Sequence, residues 1–100
     1  MINNTYLSFF KTLCNETRLS IVLLLKKKSM DVTQLVNGLN LEQSRISHNL
    51  KCLEKNGFVN VEKKGKHRVY SLNKDTIEPI FKNIKKHTQK YNIKVCVEEK

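Results

Sequence analysis

The sequence predicts a mainly α-helical single domain carrying one small β-hairpin, with its elements in the order ααααββα. Three observations predict it. Apolar residues recur at helical spacing in five stretches, two short alternating stretches flank the basic turn "KKGK" at 63–66, and a single proline interrupts 100 residues. A chain of this length with 39% apolar residues builds one modest core and has little room for a second, so residues 1–100 are read as one domain. No internal repeat or low-complexity linker divides it.

In the first helix Tyr6, Phe9, Phe10 and Leu13 recur on one face. Asn15 is then an N-cap, with Glu16 at the positive end of a second helix that Leu19 and Ile21 to Leu25 make apolar nearly all round, as a central core helix would be. Lys26, Lys27 and Lys28 suit its negative end. "DVTQLVNGL" offers Asp31 and Gln34 as a capping box and Leu35, Val36 and Leu39 for burial, which predicts a short third helix. Gly38 and Asn40 break that pattern, and a fourth helix runs from about Glu42 to Asn56 and stops at Gly57. "FVNVE" and "HRVYSL" alternate on either side of the basic turn and form the hairpin. Asp75 with Glu78 suggests another capping box, Pro79 fits the first turn, and Ile77, Ile80, Phe81, Ile84, Thr88 and Tyr91 make one stripe of a long terminal helix. The tail "IKVCVEEK" alternates weakly and is open to helix, strand or fraying.

The fourth helix is two-sided. At about 100° per residue, Ile46, Leu50 and Leu53 cluster within about 60° of one another, while Ser44, Ser47, His48, Lys51 and Lys55 cluster opposite. A merely solvated face is the plain alternative, but such a face mixes Glu with Lys. This one carries hydroxyls, an imidazole and lysines, with no carboxylate on its centre line. These groups donate to phosphates and base edges, and Gln43, Ser44 and Arg45 lie in the first turn, where a helix entering the major groove makes contact. The third helix would then cross the DNA backbone, as in helix-turn-helix docking. Lys63, Lys64, Lys66, His67 and Arg68 surround Gly65 at the hairpin tip, a basic wing able to reach the minor groove or its phosphates. Either feature alone is common; their order along the chain is far more specific.

Composition agrees. The formal charge is +10 and the pI near 9.7, which calls for an acidic partner, with nucleic acid and an anionic membrane surface as the candidates. The longest apolar run, "LSIVLLL", is too short to span a bilayer, and "MINNTYLSFF" lacks the features of a secretory leader, so a cytoplasmic location is expected. Cys14, Cys52 and Cys96 are odd in number and lack C-x-x-C spacing, against a disulfide framework or a structural zinc site. His48, His67 and His87 pair with no nucleophile or carboxylate at a catalytic spacing, so no enzyme is expected. RNA reading usually needs aromatic platforms that the inferred surfaces lack. A winged helix directed at protein partners remains the competing reading, and its binding should depend less steeply on salt.

"LCNETRLSIVLLL", "QSRISHNLKCLEKNGFV" and "KKGKHRVYSL" together resemble the ArsR/SmtB family of winged helix-turn-helix repressors, over roughly residues 6 to 91. The most specific matches are Thr17-Arg18, Gln43-Ser44, Ser47-His48, Leu50-Lys51, the run Leu53 to Gly57, and Tyr70 in the second wing strand. The resemblance implies a sequence-specific regulator of double-stranded DNA, a homodimer joined through its first and last helices, with an inverted-repeat operator. That interface would use Tyr6, Phe9 and Phe10 with Ile77, Ile80, Phe81, Ile84 and Tyr91. The alternative is that both stripes pack within one chain.

Many relatives sense metals through two cysteines in a stretch like "ELCVCDL"; the matching "SMDVTQL" has Asp31 and Thr33 there. Others bind zinc between the terminal helices through an Asp-x-His and a second pair, but Asp75 is followed by Ile77 and then only His87. No metal or other cofactor is therefore expected. Some members join two thiols in response to oxidants, which makes Cys14 and Cys96 the candidate redox pair. Glu42 stands where relatives cap the recognition helix with Ser or Thr, so either Asn40 caps one step earlier or the helix begins at a small penalty.

Overall fold

The computed structural model describes residues 4–93. Five helices and one antiparallel hairpin follow in the expected order: α1 Asn4–Leu13, α2 Glu16–Lys27, α3 Val32–Leu39, α4 Gln43–Lys55, β1 Val59–Lys64, β2 His67–Leu72 and α5 Ile77–Lys90. One core holds them. Ile21, Val22 and Leu25 of α2, Leu35 of α3, Ile46, Leu50 and Leu53 of α4, and Phe58 and Val59 meet at its centre, where each fully buried aliphatic or aromatic side chain contributes about 1.5–3 kcal/mol.

The capping signals of α2 and α3 hold. Asn15 Oδ1 accepts from the Arg18 amide at 3.0 Å and opens α2. At α3, Asp31 Oδ1 accepts from the Gln34 amide at 2.8 Å while Gln34 Oε1 accepts from the Asp31 amide at 2.9 Å, a complete capping box. Two details differ. α2 is not buried all round, because the elements packed on it cover part of its circumference and leave Leu23 exposed. Gly38 does not break the third helix but lies inside it, where an added Cβ would sit 2.9 Å from Leu24 Cδ2; close approach of α2 to α3 is what this glycine permits. Asn40 alone takes the left-handed conformation that ends α3, at φ 54°.

The hairpin pairs Val59 with Leu72, Val61 with Tyr70, Lys63 with Arg68 and Lys64 with His67. Its two-residue turn puts Gly65 at φ 62°, a conformation side chains disfavour. Beyond the sequence-based reading, Met30 pairs with Tyr70 through two backbone hydrogen bonds of 3.0 and 2.8 Å, adding a single bridge from the α2–α3 connection to the outer edge of β2.

The start of α5 departs from expectation. Thr76, not Asp75, is the N-cap position, it already has right-handed helical angles, and its side chain makes no capping bond. Asn73 does that work: its Oδ1 accepts from the amides of Asp75 and Thr76 at 3.1 and 3.3 Å, and its Nδ2 donates to the Gly57 carbonyl at 2.9 Å. One asparagine thus fastens the end of β2, the turn after α4 and the entry to α5. After Ile93 the tail, including Cys96, lies outside the described residues.

Candidate nucleic-acid interface

α4 presents its two faces as the spacing requires. Ile46, Leu50 and Leu53 are buried, while Gln43, Ser44, Arg45, Ser47, His48, Lys51 and Lys55 are all exposed. Asn49 was missed by sequence reasoning. It lies on the inner side at 7% exposure, its Nδ2 donating to the Arg45 carbonyl at 2.8 Å and its Oδ1 accepting from Arg18. The partner is 31 residues away, and no local pattern shows it. Glu42 is the N-cap of α4 without a side-chain capping bond, since Asn40 serves the end of α3; the helix therefore begins with its amides uncapped by a side chain.

The wing supplies the second basic surface. Val59, Val61 and Lys63 share one face of the hairpin with Leu72, Tyr70 and Arg68, so the face that enters the core continues outward into charge. Lys63 and Arg68 are direct cross-strand neighbours, an arrangement of like charges that costs stability unless an anion lies between them. On the other face Lys64 contacts Glu62 at 3.5 Å, and His67 Nδ1 lies 3.7 Å from Asp31 Oδ2, linking the wing to the start of α3. Lys66 and Arg68 line the same cleft as Asp31 and His67.

The stripes on the terminal helices divide. Ile77 and Phe81 are 3% and 8% exposed and belong to the core of the single chain. Phe9 also leans inward, its ring centroid 5.0 Å from that of Phe58. Tyr6 and Phe10 remain 70% and 62% exposed, and Ile84 and Tyr91 are exposed with them. Tyr6, Phe9, Phe10, Ile80, Ile84 and His87 line an apolar groove of about 600 Å³ between α1 and α5. The His87 ring also lies against Tyr91, with centroids 5.0 Å apart and the planes tilted by 45°.

Among the described residues no three His, Cys, Asp or Glu side chains come together. At the α3 positions Asp31 Oδ1 is engaged as a helix cap, and Thr33 offers only a hydroxyl. Cys14 is exposed just past α1 and Cys52 is half-buried on α4 beside Asn56. No helix among the described residues is long and apolar enough to cross a membrane.

Two helices joined by a tight turn and packed on one core, followed by a basic antiparallel hairpin, define a winged helix-turn-helix protein. The fold matches the homodimeric winged helix-turn-helix DNA-binding domain of a possible ArsR-family regulator from Mycobacterium bovis, with a TM-score of 0.74, 20% identity, and coverage of 89% of this chain and 82% of that one. Residues 15–61 match the sequence profile of the family described as bacterial regulatory protein, arsR family. Over that stretch the chain resembles this family. It is 31% identical over 71 residues to the transcriptional activator HlyU of Vibrio cholerae, and 35% identical over 65 residues to the HTH-type transcriptional regulator NmtR of Mycobacterium tuberculosis. These matches cover 71% and 65% of this chain but only 66% and 54% of the two relatives' lengths. Both relatives carry the names of regulators, not of enzymes.

Proposed function

We propose that this protein is a homodimeric, sequence-specific regulator of transcription that represses by occupying promoter DNA, without the metal-sensing sites of many relatives. The observation that carries this reading is the exposed face of α4, with its hydroxyl, imidazole and cationic groups, followed in the chain by a wing concentrating five basic residues around Gly65. Gln43, Ser44, Arg45, Ser47 and His48 read base edges in the major groove, and Lys51 and Lys55 hold phosphates beside it. Lys63, Lys64, Lys66, His67 and Arg68 grip the backbone or the neighbouring minor groove, where a polyanion relieves the Lys63–Arg68 repulsion.

Dimerisation brings two such faces together. The exposed aromatic and aliphatic groups around the α1–α5 groove form an apolar patch that a second copy would cover by two-fold symmetry. Two recognition helices then enter successive major grooves, so the operator is an imperfect inverted repeat with half-sites about one turn, roughly 10 base pairs, apart. Chromosomal DNA as target makes the cytoplasm the site of action.

The deciding experiment is selection from random duplexes, followed by titration of the enriched sequence at several salt concentrations. Enrichment of an inverted repeat with steeply salt-dependent affinity is the expected result. Salt-sensitive binding with no enriched sequence would sink sequence-specific regulation in favour of a winged helix directed at proteins or at DNA in general. A promoter reporter reads the sign, with repression expected.

A further inference from the structure

Arg18 touches neither proposed DNA surface, yet its guanidinium joins three helices. It sits in the first turn of α2, where its backbone amide is held by Asn15. Its Nε donates to the Thr12 carbonyl at 2.7 Å and its Nη2 to the Lys11 carbonyl at 3.5 Å, two of the acceptors that the end of α1 leaves without a helical partner. Its Nη1 donates to Asn49 Oδ1 at 3.3 Å, and the other end of that amide is bound to the Arg45 carbonyl within α4. A positive plane at the negative end of α1 is thereby connected, through one buried amide, to the backbone of the helix that carries the DNA-facing residues.

Apolar packing fixes how deeply α4 sits but is not directional, whereas a guanidinium fork accepts only a narrow range of angles. We infer that Arg18 is a positioning residue that sets the orientation of α4 against α1, and hence the separation of the two recognition helices in the dimer. The inference rests on the dimeric operator reading above. Its leverage is geometric: α4 is about 20 Å long with Asn49 at its middle, so a tilt of about 10° about that contact moves each end by about 1.7 Å, and the two protomers together change the separation by about one base-pair step of about 3.4 Å.

The test compares wild type with Arg18→Gln and Arg18→Lys on the selected operator and on duplexes whose half-sites are one or two base pairs nearer or farther apart. Dimer mass, melting temperature and affinity for a random duplex are measured alongside. Wild type is expected to lose about tenfold in affinity per base pair of altered spacing. Both variants should flatten that preference to about threefold or less while dimerisation and random-duplex affinity stay at wild-type values, because the wing and the α4 face are untouched. Lysine keeps the charge but lacks the fork, so it separates orientation from simple electrostatics. An unchanged spacing profile in both variants would overturn the role of Arg18 and leave the dimeric reading intact. Loss of folding or of the dimer in both would assign Arg18 to stability alone and overturn it as well. A wild type indifferent to spacing would defeat the dimeric reading itself, and this inference with it.

Discussion

Glu42 is where local stability and proposed function pull the same way. Its carboxylate leaves the first amides of α4 without a side-chain acceptor and lies one residue before the first of the DNA-facing groups. Glu42→Ser should stabilise the protein by about 0.5–1 kcal/mol in urea unfolding and also tighten duplex binding, since a hydroxyl caps the helix and a negative charge leaves the phosphate side. A gain in stability with no gain in binding would place Glu42 away from DNA. Asn73 is the opposite case, a polar residue whose side chain makes three hydrogen bonds. Asn73→Ala should cost about 1–2 kcal/mol, read as a lower urea midpoint with an unchanged slope.

At the scale of elements, α4 and the wing should separate in their response to substitution. Ser47→Ala or His48→Ala is expected to relax base preference at one operator position, by about 1–3 kcal/mol of discrimination where a specific contact is lost. Lys64→Ala or Arg68→Ala should weaken all sequences together and reduce the salt slope by about one. Filter binding to a panel of operator variants distinguishes the two; if all four substitutions behave alike, the division of labour is wrong. What the sequence made legible follows the same line between local and distant causes. The Asp31–Gln34 box, the Asn15 cap and the Gly65 turn were readable because each is settled within four residues. The bond between Asn49 and Arg18 was not, because its partner is 31 residues earlier; at α5 the capping bonds are local, but Asp75 and Asn73 offer equivalent side chains and the bond that fixes Asn73 runs to Gly57. Gly38 looked like a helix breaker because its reason for being glycine is Leu24, in another helix.

For the whole molecule the decisive surface is the one that leaves Tyr6, Phe10, Ile84 and Tyr91 in water. Ile77 and Phe81, which the spacing placed in the same stripe, already serve the core of one chain, so the stripe splits between internal and external duties along its length. Substitutions can exploit that split. Ile84→Glu should convert the proposed dimer to a folded monomer in sedimentation, with loss of operator affinity but retention of weak, salt-dependent binding to any duplex. Phe81→Ala should instead destabilise the chain itself by about 3–5 kcal/mol. A protein already monomeric before the Ile84 change would remove the proposed interface.

The bridge between Met30 and Tyr70 has a bearing on time rather than on shape. It closes a long loop that contains α3, α4 and the whole first strand, so its two hydrogen bonds join positions far apart in the chain. Both bonds are lost whenever the fold opens as a whole. The amides of Met30 and Tyr70 become clocks for the whole chain: their hydrogen exchange should follow the stability of the fold as denaturant is added, while the turn at Gly65 exchanges freely throughout.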